Sequence, residues 1–189
     1  HVALSSAGLE VSLRGRFDEV AHTVDGVVDL AASDGALIAR LADPVGAQSL
    51  RLTARAAGSV AAPDIEGSGY ATTVTAPGVS AERMDLTGRI EPVESQRLAV
   101  TARLESTGFV LAAEPALAGL IGDAPVIALD GTLDAATGDL DVSTLDVTAD
   151  GLHASATGRV ASQGEDVDIA IGLRLDELAP VGALLGLPA

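Results

Sequence analysis

The chain has 189 residues, 48% of them hydrophobic but only 2% aromatic, and a formal net charge of −16. Its mean hydropathy of +0.37 argues against disorder, and a surface this acidic repels phosphate backbones, so nucleic acid is not an expected partner. With no Cys, disulfides, thiolate metal sites and Cys nucleophiles are excluded.

Two Phe, one Tyr and no Trp leave Leu, Val, Ala and Gly to fill the interior. Such a set favours a thin, extended architecture over a thick globule, because large rings bury the most area per residue. No run of about 18 apolar residues is present to span a bilayer as a helix. The chain opens at His1 without Met and stops after LLGLPA. It therefore reads as a fragment, with any targeting or anchor segment upstream.

In chain order, the first signal is alternation at Leu9, Val11 and Leu13, running into LRGRF (13–17) and then VDGVV (24–28). Apolar residues at every second position are the mark of a half-buried strand. DGALIARLAD (34–43) breaks the rhythm with Leu at helical spacing and reads as a short helix. AAGSV (56–60) resumes the strand pattern, and Ala-Pro-Gly at 76–78 is turn chemistry. Met84, Leu86 and Ile90 then alternate through LTGRI (86–90), followed by Leu98, Val100 and Leu104. EPALAGLIG (114–122) is a second helical interruption.

Beyond it, Ile127, Leu129 and Leu133 run through LDGTL (129–133), and Ala-Thr-Gly (136–138) turns the chain. In LDVSTLDVT, Leu140 and Val142 share a face, but Leu145 and Val147 are out of phase with them. A one-residue slip flips every later side chain unless a bulge absorbs it, so a kink is expected at Ser143-Thr144. Ala-Asp-Gly (149–151), ATGRV (156–160) and Ser-Gln-Gly (162–164) lead to Val167, Ile169, Ile171, Leu173 and Leu175. ELAPVGALLG (177–186) is the third helical segment. The total is roughly ten strands, in one repetitive region over 1–189 without a clear domain boundary.

The recurrent unit is apolar-x-Gly-x-apolar, with each Gly on the same strand face as its apolar flanks. Repeated Gly at that position points to a bend or to space kept free of side chains. The copies lie 11 to 43 residues apart, which argues against coils of fixed length and for meandering antiparallel strands.

Candidate chemistry centres on the carboxylates Asp134, Asp139, Asp141, Asp146 and Asp150. An EF-hand reading from Asp139 puts Thr144 where the loop needs Gly and Asp150 where it needs Glu. Asp139 and Asp141 also alternate with Leu140 and Val142, as in a strand. They read as the wet side of a hairpin. His1, His22 and His153 are far apart and outside any metal-binding pattern, GxSxG is missing, and neither standard phosphate loop is present. The expectation is no enzyme, no cofactor and no metal.

An apolar strand face remains and needs a cover: a second sheet, the short helices, another protein or lipid. Leu86, Ile90, Val100, Leu104, Leu129, Leu133, Val160, Ile169, Ile171 and Leu173 are its expected wall. Aliphatic and smooth, it suits acyl chains better than a specific pocket would.

LTGRI and LDGTL, GSVAAPDIEGSG (58–69), TGDLDVSTLDVTADGLHASATGRV (137–160) and LAPVGALLG (178–186) together resemble the TamB branch of the AsmA-like proteins, most clearly over 60–110 and 126–189. The resemblance implies a mainly β fold, an elongated antiparallel β-taco: an open sheet folded lengthwise around an apolar groove, with a few short helices. It further implies a non-enzymatic segment of an inner-membrane-anchored protein that crosses the periplasm. Such a protein conducts phospholipids to the outer membrane, supports assembly of outer-membrane proteins, or does both, with an Omp85-type barrel as partner. Two alternatives stand beside it. One is a surface adhesin or extracellular β-solenoid with a closed core; the other is a chaperone-like module that offers open edges to unfolded strands.

Overall fold

Alternating Leu, Val and Ile with polar residues in runs of nine or more gives long strands with two chemically distinct faces. In the computed structural model the described residues are 1–41, 43–94, 96–112, 115–162 and 167–176. They form twelve strands and two short helices. The strands are β1 (Val2–Ser6), β2 (Leu9–Asp18), β3 (Thr23–Ala32), β4 (Ser49–Ser59), β5 (Ala62–Ala76), β6 (Val79–Glu94), β7 (Arg97–Thr107), β8 (Val110–Leu111), β9 (Val126–Asp134), β10 (Leu140–Thr148), β11 (Leu152–Val160) and β12 (Val167–Leu175). The helices are α1 (Gly35–Leu41) and α2 (Pro115–Ile121).

All strands belong to one antiparallel sheet in the order β1-β2-β3-β4-β5-β6-β7-β9-β10-β11-β12, with β8 paired to β6. Among the described residues the sheet does not close on itself. It is mainly β and open, as the alternation and the irregular spacing of the Gly motifs predict. The count is twelve rather than about ten because β1 and the two-residue β8 are too short to show a period. Helices expected at 34–43 and 114–122 are found as α1 and α2; the segment 177–186 lies outside the described residues.

A meander of this kind has two margins. One carries the links β2–β3, β4–β5, β6–β7, β9–β10 and β11–β12. The other carries the short β1–β2, β5–β6 and β10–β11 turns and both helical connections. At its β5–β6 turn, Pro77 presets the first central position and Gly78 takes φ 77° at the second. Asp34 caps α1 by accepting the Ala36 amide at 2.9 Å. Gly122, with φ 66°, ends α2 and donates to the Ala118 carbonyl at 3.0 Å.

Among the described residues, the buried apolar side chains Ala32, Ile38, Val74, Ala81 and Leu120 gather at this helical margin. Buried Ser106 donates through its Oγ (2.9 Å) and its amide (3.2 Å) to the Pro125 carbonyl, so no polar group there goes unpaired. The β5–β6 hairpin reaches past its neighbours at this margin. It is flanked by the bridge Gly46–Thr75 on one side and by β8 on the other. Beyond Thr73, at φ 50°, the apolar positions change parity, from Ala71 to Val74 in β5 and from Met84 to Ala81 in β6. Val74 and Ala81 are the pair that becomes buried there.

Candidate functional site: the uncovered apolar face

Strand register sorts the side chains into rows that cross the sheet. One row runs Leu4, Val11, Leu30, Leu52, Gly69, Leu86, Leu104, Ile127, Val147, Ala154, Leu173. The next runs Val2, Leu13, Val28, Ala54, Gly67, Gly88, Ala102, Leu129, Leu145, Ala156, Ile171. A third runs Gly15, Gly26, Ala56, Ile65, Ile90, Val100, Gly131, Val142, Gly158, Ile169. No row contains a charged residue. All ten wall residues expected from sequence lie on this face: eight in these rows, and Leu133 and Val160 in the partial row Leu98, Leu133, Leu140, Val160, Val167.

The bulge that keeps β10 in these rows sits where the phase slip predicts it. Val142 pairs with Gly131 and Thr144 with Asp130, so Ser143 is the inserted residue; the β11 side shifts between Val142 and Leu145. Leu140, Val142, Leu145 and Val147 thus share one face despite the odd spacing.

Small residues form a valley across the strands. Its floor passes from Gly15, Gly26 and Ala56 to Ala54, Gly67, Gly88 and Ala102, then to Gly131 and Gly158. Backbones approach closely there. A Cβ on Gly15 would lie 2.9 Å from Gly26 Cα, and one on Gly131 would lie 2.6 Å from the Asp141 carbonyl oxygen. On Gly158, at φ 151°, it would strike the Asp168 carbonyl oxygen. At mid-sheet the valley deepens into a concavity of about 330 Å³, floored by Ala54, Gly67, Gly88 and Ala102 and rimmed by Leu52, Ile65, Leu86, Ile90 and Val100. Gly15, Gly26, Gly88, Gly131 and Gly158 are the glycines of the apolar-x-Gly-x-apolar motif, where space free of side chains is expected. Ala54, Gly67 and Ala102 carry no such signal in the sequence, and only the register aligns them with the rest.

Nothing among the described residues covers this face. Leu4, Leu13, Phe17, Val28, Leu86, Ile171 and Leu173 are all exposed, Ile171 to 76%. Eleven strands at ~4.8 Å spacing and ~30 Å of common length give a footprint of roughly 1,400 Å². Monomeric soluble proteins rarely expose more than a few hundred Å² of continuous apolar surface. A face this large is built to be covered by something.

The opposite face holds the charges. Arg14 meets Asp29 at 3.3 Å, Arg55 meets Asp25 at 3.2 Å, Arg89 meets Asp64 at 2.6 Å, and Arg83 meets Asp85 at 2.6 Å. Arg83 also stacks over the Tyr70 ring, 4.2 Å from its centroid. Of the acidic candidates, Asp139, Asp141 and Asp146 lie here too, while Asp134 ends β9 and Asp150 stands in the β10–β11 turn. Asp139 binds Arg159 at 2.5 Å and accepts the Ser162 amide at 3.2 Å. Asp141 faces Arg97 and Arg159 at 3.6 and 3.9 Å. Asp134 folds back onto the amides of Ala136 and Thr137 in its turn. Hydrogen bonds from Arg159, Arg89 and Arg83 hold the Asp139, Asp64 and Asp85 carboxyls below their ordinary value. Among the described residues no group of three or more acidic or His side chains is placed to hold a metal ion.

No helix among the described residues is long and apolar enough to cross a membrane. No protein-family model, curated protein or solved structure matches this chain.

Proposed function

We propose that the chain is a non-enzymatic lipid-conducting segment whose apolar face carries phospholipid acyl chains across the strands. The observation that carries this reading is the uncovered face itself: three charge-free rows around a floor of small residues. A 16-carbon chain leaving water gains roughly 12 kcal/mol on any dry apolar surface, and a bilayer offers the same gain. A smooth aliphatic valley holds such a chain without trapping it. Tight retention would call for polar groups converging on a head group, and the mid-sheet concavity presents almost only apolar atoms, although Thr53, Ser68, Thr87, Arg89 and Thr101 also border it. Placement in the periplasm, an inner-membrane anchor and an Omp85-type partner are further parts of the proposal and rest on the resemblance to the TamB branch.

Photo-crosslinking in cells tests it. A crosslinker at Leu86, Ile90 or Leu129 is expected to capture phospholipid. One at Arg89, Arg103 or Thr132, on the charged face, is expected to capture none. Equal labelling of the two faces would reject the proposal.

A further inference from the structure

The two ends of the sheet differ. β1 is a five-residue edge, too short to template much pairing. β12 is a nine-residue strand at the other end, and among the described residues no strand lies beyond it. Long edges are usually blunted by Pro, a bulge or an inward charge. β12 has none of these: its register with β11 is uninterrupted from Val160↔Val167 to Leu152↔Leu175. Its apolar residues are also among the most exposed in the molecule, with Leu173 at 64%.

β12 reads VDIAIGLRL, and it is complementary to itself. Laid antiparallel on a second β12 and centred on Ile171, it pairs Val167 with Leu175, Asp168 with Arg174, Ile169 with Leu173 and Ala170 with Gly172. All nine residues find partners. Apolar residues meet apolar ones on one face, and two reciprocal carboxylate–guanidinium pairs form on the other. A shift of one residue sets apolar against polar, and a shift of two separates Asp168 from Arg174 and leaves only seven of the nine β12 residues paired. Pairing with β1 offers only VALSS, which has no charge to answer Asp168 or Arg174.

We propose that β12 joins β12 of a second copy of this chain, extending the sheet across a two-fold axis at Ile171. An axis normal to the sheet keeps both apolar faces on the same side. The combined sheet has 22 strands in line and spans roughly 100 Å. The contact is small beside the ~1,600 Å² of stable complexes, so dimerisation depends on concentration. The proposal does not rest on lipid as the cargo and is tested in lipid-free solution.

The chain has no Cys, so single-Cys variants report unambiguously. Ile171→Cys places two thiols opposite each other and is expected to give a disulfide-linked dimer on mild oxidation. Val167→Cys places them eight residues apart, ~26 Å, and is expected to give none. In sedimentation equilibrium, Asp168→Arg or Arg174→Asp is expected to weaken the dimer about tenfold, and the double exchange to restore it. Three results would each overturn the proposal: equal crosslinking at Ile171 and Val167, a wild-type monomer at every soluble concentration, or protection from hydrogen exchange, in a monomer, of the alternate β12 amides that point away from β11. The last would assign the cover of β12 to its own chain.

Discussion

The helical margin and the open face are built from similar aliphatic residues but put to opposite use. At the margin Leu120 is 3% exposed, and its helix receives the Gly151 amide on the Leu120 carbonyl at 2.8 Å. On the face Leu86 is 44% exposed, with only its row neighbours around it. Side chains at the margin are packed away from solvent, while many on the face stay exposed. Much of the face can therefore be altered at less cost to stability than the margin.

The sharpest way to break that contrast is truncation on both sides. Leu120→Ala is expected to lose about 2–5 kcal/mol, the range for a buried Leu that leaves a cavity. Leu86→Ala is expected to lose roughly 1 kcal/mol, since much of its side chain is already wet. Urea denaturation of the two variants measures the difference, and equal losses would erase the distinction.

Glycines sharpen it further. Gly158→Ala drives a methyl group into the backbone of β12 and is expected to cost about 1–3 kcal/mol. Gly119, on the exposed side of α2, has open space where a methyl group would sit, with nothing within 4 Å. Gly119→Ala is expected to stabilise by about 0.8 kcal/mol through helix propensity. Thermal midpoints of the two variants should move in opposite directions.

The smallest effect belongs to the charged face. The Asp64, Asp85 and Asp139 carboxyls are depressed in the folded state by their arginines. Their contribution is complete above the unfolded value of 3.8 and is lost as pH falls through the lower folded values. Thermal midpoints should be insensitive to these groups down to about pH 5 and decline slightly below about pH 4. Arg159→Gln should remove the Asp139 share of that decline. Asp64 and Asp85 are solvent-exposed and Asp139, itself half-buried, pairs with an exposed arginine, so the change is modest.

Much of this was legible in the sequence because a strand writes its two faces into every second residue. Leu86, Ile90, Val100 and Leu104 could be assigned to one wall without any tertiary information, and the register puts all four on one face. Ser143 could be found because LDVSTLDVT breaks phase between two unmistakable apolar pairs. The equivalent break between Ala71 and Val74 passes through Thr72 and Thr73, and Thr sits on either face with little penalty, so the pattern hides it. Packing of Leu120 against Gly151 joins residues 31 apart across β9 and β10, and no periodicity records such a contact. Part of the valley floor escaped for a related reason: Gly88 stands in a recurring motif, but Ala54, Gly67 and Ala102 gain their meaning only from alignment between strands.

The extra residue at Ser143 has a consequence for how such a chain tolerates change. A repetitive protein accumulates single-residue insertions, and each would turn the rest of its strand inside out. Here the insertion is absorbed within two positions, and the neighbouring strands β9 and β11 stay in line on both sides of it. Repeats of unequal length can therefore be spliced end to end while the oily surface continues unbroken, which frees the length of the protein from the arithmetic of any single repeat.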